Sequence, residues 1–134
     1  MFVVSAPIVS KGLSPEERVT YLHIADKYGD TPLHVAAKEG DPNIIKLLLQ
    51  GLSPAERVTY LDKWDIDGDN PLHIAAYQGR VEVIKELLQG LSAKERKDYL
   101  YKAANNGVTP LFIAAQKGHS QVVRVFEEYE AQES

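Results

Sequence analysis

The densest group of potential metal ligands in this chain is Asp65-Ile66-Asp67-Gly68-Asp69-Asn70, with carboxylates at alternate positions as at the start of a calcium-binding loop. Such a loop needs glycine at its sixth position for the sharp turn and a bidentate glutamate at its twelfth, and here those positions hold Asn70 and Ala76. The stretch therefore reads as a turn with acidic decoration. His34 and His73 stand 39 residues apart, but the next position of that series is Phe112, which breaks any ladder of histidine ligands. No metal or other cofactor is expected. Cysteine is absent, so disulfides and thiolate ligation are excluded. Nucleophilic catalysis needs a Ser, Thr or Cys beside an oriented base, and the serines fall mostly at helix-start positions. None of the strings G-x-G-x-x-G, G-x-x-x-x-G-K-[ST] or H-E-x-x-H occurs. The chain reads as non-catalytic.

What does recur is a scaffold. Thr31–Ala37 reads T-P-L-H-V-A-A, Asn70–Ala76 reads N-P-L-H-I-A-A and Thr109–Ala115 reads T-P-L-F-I-A-A, spaced by 39 residues each time. Aligning residues 12–50 with 51–89 gives 24 identities in 39 positions. One supersecondary unit is copied in tandem. A unit of this size cannot bury its apolar side alone, so the copies must stack into a short solenoid.

Each copy carries its own start and stop signals. Thr31-Pro32, Asn70-Pro71 and Thr109-Pro110 place a side-chain acceptor before a proline: the oxygen takes a free backbone N–H, and proline at the first helical position has none to leave unpaired. Leu33, Ala36 and Ala37 give this first helix an inner face, and Gly40, Gly79 and Gly118 end it. A second helix follows, with Ile44, Ile45, Leu48 and Leu49, then Val83, Ile84, Leu87 and Leu88, as a broad core stripe closed by Gly51 and Gly90. Ser14, Ser53 and Ser92 each have a glutamate three residues on, the reciprocal capping box that opens a helix. A third, short helix is predicted to run to Leu22, Leu61 and Leu100. Two turns do not persist alone, so these leucines and Tyr21, Tyr60 and Tyr99 must pack on the layers below. Arg18, Arg57 and Arg96 repeat at the same spacing. Strict repetition favours a structural arginine tied to a helix end over a basic ridge, because contact residues of an array differ between copies.

Gly29, Thr31, Pro32, Leu33, His34, Ala36, Ala37 and Gly40, followed by the Ile/Leu-rich helix, carry a resemblance to the ankyrin repeat family that covers roughly residues 23–128. The period departs from the familiar one of about 33 residues, the extra length lying between the second helix and the hairpin. The resemblance implies an all-α dominated repeat solenoid of stacked helix pairs with short β-hairpins or turns, here with an additional short helix per repeat. It implies that His34 and His73 tie neighbouring hairpins by hydrogen bonds. It also implies a protein-interaction module that grips its partner in a concave groove of hairpin tips and first helices. Carried over by position, the binding residues are Lys27, Tyr28, Asp30 and Lys38 in the first repeat, Trp64, Ile66, Asp67, Asp69, Tyr77 and Gln78 in the second, and Asn105, Asn106, Val108 and Gln116 in the third. Their chemistry changes from copy to copy. Trp64, the only tryptophan, stands where the flanking copies hold Ala25 and Ala103; it either joins Tyr28, Ile66 and Tyr77 in an aromatic patch or covers the added helix. An acidic rim of Asp65, Asp67 and Asp69 suits a partner protein carrying basic or apolar groups.

A net charge of −4 and a pI near 5.5 argue against nucleic acid, whose binding depends on Lys and Arg neutralising phosphates. No segment approaches the ~20 apolar residues of a membrane span, and Phe2 to Val9 lacks a preceding basic residue and is interrupted by Ala6-Pro7, unlike a signal peptide. A cytoplasmic monomer is expected, with secretion by a non-classical bacterial route left open. One domain over 1–134 is expected: a partial repeat at 1–22, repeats at 23–61 and 62–100, and a third repeat with its cap at 101–134. Glu127, where earlier copies hold Leu49 and Leu88, begins a polar final helix with Glu128, Glu130 and Glu133, as a terminal repeat requires. Phe2, Val3, Val4 and Ile8 are expected to cover the front of the core. Two other readings stay open: a targeting or regulatory segment of a larger enzyme or host-directed bacterial protein, and a designed or natural structural scaffold without a partner.

Overall fold

The structure, a computed structural model, describes residues 13–133; the expected cover by Phe2, Val3, Val4 and Ile8 lies outside the described residues. The helices are α1 (Pro15–Leu22), α2 (Pro32–Glu39), α3 (Pro42–Leu49), α4 (Pro54–Leu61), α5 (Pro71–Gln78), α6 (Val81–Leu88), α7 (Ala93–Leu100), α8 (Pro110–Gln116) and α9 (Ser120–Glu133). Local chemistry sets their starts. Ser14, Ser53 and Ser92 each accept from the backbone N–H three residues on, while Glu17, Glu56 and Glu95 reach back to the serine N–H at 2.9 Å. Thr31, Asn70 and Thr109 cap α2, α5 and α8 ahead of their prolines. Asp41 caps α3 by accepting from Asn43 and Ile44 N–H, whereas Arg80 gives α6 no side-chain cap.

Helices of eight residues are marginal by themselves, and stacking holds them. The first helices pack in the order α2, α5, α8, and the second helices in the order α3, α6, α9. Leu33, Leu72, Ile45, Leu48, Ile84 and Leu87 are fully buried between these layers, each contributing roughly 1.5–3 kcal/mol of apolar burial. Ala36, Ala37, Ala75 and Ala76 are buried where α2 meets α5 and α5 meets α8. Small side chains there let the helices approach closely.

The added helices α1, α4 and α7 join the same core through Leu22, Tyr60, Leu61, Tyr99 and Leu100, all buried, while Tyr21 of the first is only half-buried. Their arginines clasp the layer beside them. Arg18 Nη2 donates to Leu47 O at 3.0 Å and Leu48 O at 3.2 Å, at the C-terminal end of α3. Arg57 Nη2 donates to Glu86 O at 3.5 Å and to Gln89 O, at the same place on α6. Arg96 differs, donating to Leu91 O at 3.4 Å with its guanidinium 5.3 Å from the Tyr129 ring centre on α9. These arginines are ties to helix ends and to the neighbouring layer. In α9 Val122, Val125 and Phe126 are buried and Glu127, Glu128 and Glu130 are exposed, so its outer side is polar.

The short β-hairpins or turns expected between helices are turns, with no strand among the described residues. The reason is length. Asp26 N–H donates to Asp30 O and Gly29 N–H to Asp26 O, which closes the loop within five residues and leaves no run long enough for a ladder.

Candidate protein-binding surface

The turns that precede α2, α5 and α8 are built by their own polar residues. Asp26 Oδ1 accepts from Tyr28 N–H at 2.9 Å and Asp30 N–H at 3.0 Å, and Asp65 Oδ1 accepts from Asp67 and Asp69 N–H at 3.0 Å each. Asn106 Oδ1 accepts from Val108 N–H at 3.1 Å in the third. The acidic string at 65–69 thus spends one carboxylate oxygen on its own backbone, and Gly68, at φ 81°, supplies the left-handed residue that the turn requires.

Neighbouring turns are tied across the joints. His34 Nδ1 accepts from Thr31, whose N–H lies at 3.1 Å and hydroxyl at 2.9 Å, which leaves Nε2–H to donate to Asp69 O at 3.0 Å in the next turn. Ile66 N–H donates to Tyr28 O at 3.0 Å. On the other side of the first helices, Arg80 Nη2 donates to Lys38 O at 3.2 Å, and His119 Nε2 meets Tyr77 O at 2.8 Å. His73 is bonded through Nδ1 to Asn70 Oδ1 at 2.8 Å, while its Nε2 is buried without a hydrogen bond. Burial holds the pKa of both His34 and His73 below the ordinary value, which keeps the rings neutral.

Among the residues expected to bind, Lys27, Tyr28, Lys38, Ile66, Asp67, Tyr77, Asn105, Asn106 and Gln116 are exposed, and Asp30, Trp64, Asp69, Gln78 and Val108 are half-buried. The Trp64 ring packs on His73, with centroids 5.8 Å apart and planes at 42°. It therefore braces the start of α5 as well as facing outward. Tyr77 receives the Lys117 ammonium 4.5 Å from its ring centre, a contact between α5 and the end of α8. Tyr28 is 54 % exposed, Ile66 66 % and Tyr77 50 %. Phe112, absent from the expected set, is 55 % exposed. Its signal in the sequence is the replacement of the histidine found at this position in the first two repeats. Arg80 and His119 were equally inconspicuous, because their partners are backbone carbonyls more than 40 residues away.

Carboxylates crowd the turns. Asp30 is pushed up to about 6 by burial first, then by its contact with Asp65 and the charge of Asp26, with Lys38 opposing. Asp69 is pushed up to about 6 by burial and the charges of Asp65 and Asp67. Asp30, His34 and Asp65 bring ligand atoms within 4.8 Å of one another, the one arrangement of metal-binding residue types among the described residues. Both His34 nitrogens are already engaged, however, so a metal would have to break the tie to Thr31 or Asp69.

A family model described as Ankyrin repeats (3 copies) matches residues 53–133, and one described as Ankyrin repeat matches residues 28–60. No curated protein matches the chain. Among the described residues, no helix is long and apolar enough to cross a membrane.

Proposed function

Since the chain belongs to the ankyrin repeat family, whose repeats are generally protein–protein interaction modules and typically non-catalytic, we infer that it captures a partner protein on the face made by its turns and first helices. The observation that carries this reading is the contrast between scaffold and surface. Caps, core leucines and glycines repeat every 39 residues, while the exposed positions of that face hold Tyr28, Lys38, Ile66, Tyr77, Asn105 and Gln116, different in each copy. Tyr28, Ile66 and Tyr77 offer apolar area that a monomer gains nothing by exposing, and aromatic anchors often dominate binding energy. Asp67 and Asp69 beside them favour basic groups on the partner, with apolar side chains meeting the aromatic ones.

The test is partner capture from a source-matched lysate by the intact chain and by a Trp64→Ala, Tyr77→Ala double variant shown by circular dichroism to stay folded. Partners lost with the variant support the reading. Undiminished capture places recognition elsewhere.

A further inference from the structure

Asp30, in the first turn, and Asp65, in the second, bring carboxyl oxygens within 4.8 Å of each other across the joint between two repeats. Asp30 Oδ1 is buried and has no hydrogen-bond partner. Two ionised carboxylates this close repel and neither can donate to the other, whereas a proton on one removes the repulsion and supplies a donor. The groups around the pair are Asp26 of the same turn, Lys38 and His34 of α2, and Asp69 and Asp67 of the facing turn. Only Lys38 opposes the negative charge. His34 is disfavoured as a counter-charge, because burial lowers its pKa and its two nitrogens are bound to Thr31 and Asp69. The backbone of the same joint is tight: Ile66 N–H donates to Tyr28 O at 3.0 Å, and a methyl group on Gly29 would stand 2.9 Å from Ile66 N. One repeat further on the arrangement is different. Asp69 takes the position of Asp30, but Ala104 takes that of Asp65.

We propose that Asp30 and Asp65 form a proton-dependent latch between the first and second repeats, closed when the pair shares a proton and loosened when both carboxyls are ionised. Burial and the facing Asp65 push Asp30 up to about 6, above its ordinary 3.8. The sign follows: the folded joint binds the proton more tightly than the unfolded chain, so the stabilisation is complete below about 3.8 and is lost as pH rises through about 6. The latch is shut in mildly acidic solution and slack at neutral pH. Because Ile66 N–H bonds across this same joint, its exposure reports the state of the latch.

The experiment is amide hydrogen exchange on the full chain at pH 5.0 and 7.5, corrected for intrinsic rates, with Ala104 N–H, which donates to Val108 O within the third turn, as the comparison. A rise from 3.8 to about 6 would allow about a hundredfold change at most, and exposure of the carboxyl to solvent reduces this to about tenfold. Protection of Ile66 N–H should fall about tenfold from pH 5.0 to 7.5, with Ala104 changing much less. Asp30→Asn should hold Ile66 protected at both pH values. Carbon-detected titration of the carboxyls supplies a second reading through Asp65→Asn, whose amide oxygen can still accept from Asp67 and Asp69 N–H: the Asp30 midpoint should drop toward the ordinary range. The latch is overturned if Ile66 protection is independent of pH, if Ala104 follows it equally, or if Asp30 still titrates near 6 beside Asn at position 65.

Discussion

Replacing Arg57 with alanine is the sharpest test of how the added helix is fastened. Arg57 Nη2 donates to Glu86 O and Gln89 O at the C-terminal end of α6, and the guanidinium lies beside Gly90, where an added Cβ would stand 3.6 Å from Cζ. Gln89 O, just past the helix end, lacks an intrahelical donor, while Glu86 O also accepts from Gln89 N–H at 3.4 Å. A hydrogen bond to a charged group contributes about 1.5–3 kcal/mol, and a cation at a helix C-terminus adds about 0.3–1 kcal/mol. The Glu86 bond is long, at 3.5 Å, and water can reach carbonyls freed by the truncation, so the total falls well below the sum. Arg57→Ala should therefore cost about 2 kcal/mol. In urea, with a slope of about 1.5 kcal/mol/M for a chain of this size, the midpoint should drop by about 1.3 M. Arg57→Lys should fall between, since an ammonium keeps the charge but not the fork that spans two carbonyls. A midpoint shift equivalent to under about 0.5 kcal/mol, together with lost partner capture, would refute the structural role and restore the arginines as a binding ridge.

Two further perturbations probe the joints. Gly40 and Gly118 both have positive φ, 82° and 78°, but a Cβ on Gly40 would stand 2.7 Å from Arg80 Nε whereas Gly118 has open space. Each alanine variant should lose about 1 kcal/mol for the left-handed backbone, and Gly40→Ala more, because Arg80 must leave its bond to Lys38 O; equal losses in thermal unfolding would deny the stacking any part. His34 opposes the carboxyls in its pH dependence: with its folded pKa below 6.5, its contribution is complete above 6.5 and is lost as pH falls below it, whereas Asp30 and Asp69 lose theirs as pH rises toward about 6. His34→Gln should thus lose less stability than the parent between pH 7 and 5, and parallel melting-temperature profiles would contradict this.

Features set by residues close in sequence were legible before the structure. Ser14 and Glu17, Ser53 and Glu56, Ser92 and Glu95 complete their capping boxes within three residues, so composition and spacing suffice. The arginine ladder was legible in kind, because identical residues at 39-residue intervals serve the scaffold, but the carbonyls that Arg18 and Arg57 clasp lie 29–32 residues away and carry no side-chain signal. The same limit hid Arg80 and His119. Trp64 was visible as the odd residue of its series, yet its packing on His73 depends on how the turn folds back over α5. Asp30 and Asp65 are 35 positions apart, and only the stacking of one turn on another makes them neighbours. Of the short β-hairpins or turns implied by the family resemblance, the chain forms turns, because Asp26 and Asp65 wrap the backbone onto their own carboxylates.

The claim that the turn-and-first-helix face binds a partner is tested most directly by site-specific photo-crosslinking. A photoreactive residue would be placed at Ile66 or at Tyr77, with exposed Lys85 of α6 as the comparison position, and each folded protein irradiated in a source-matched lysate. The same adduct is expected from positions 66 and 77 and none from 85, with the yield abolished by excess unmodified chain. An adduct formed only from position 85, or equally from all three, would contradict it.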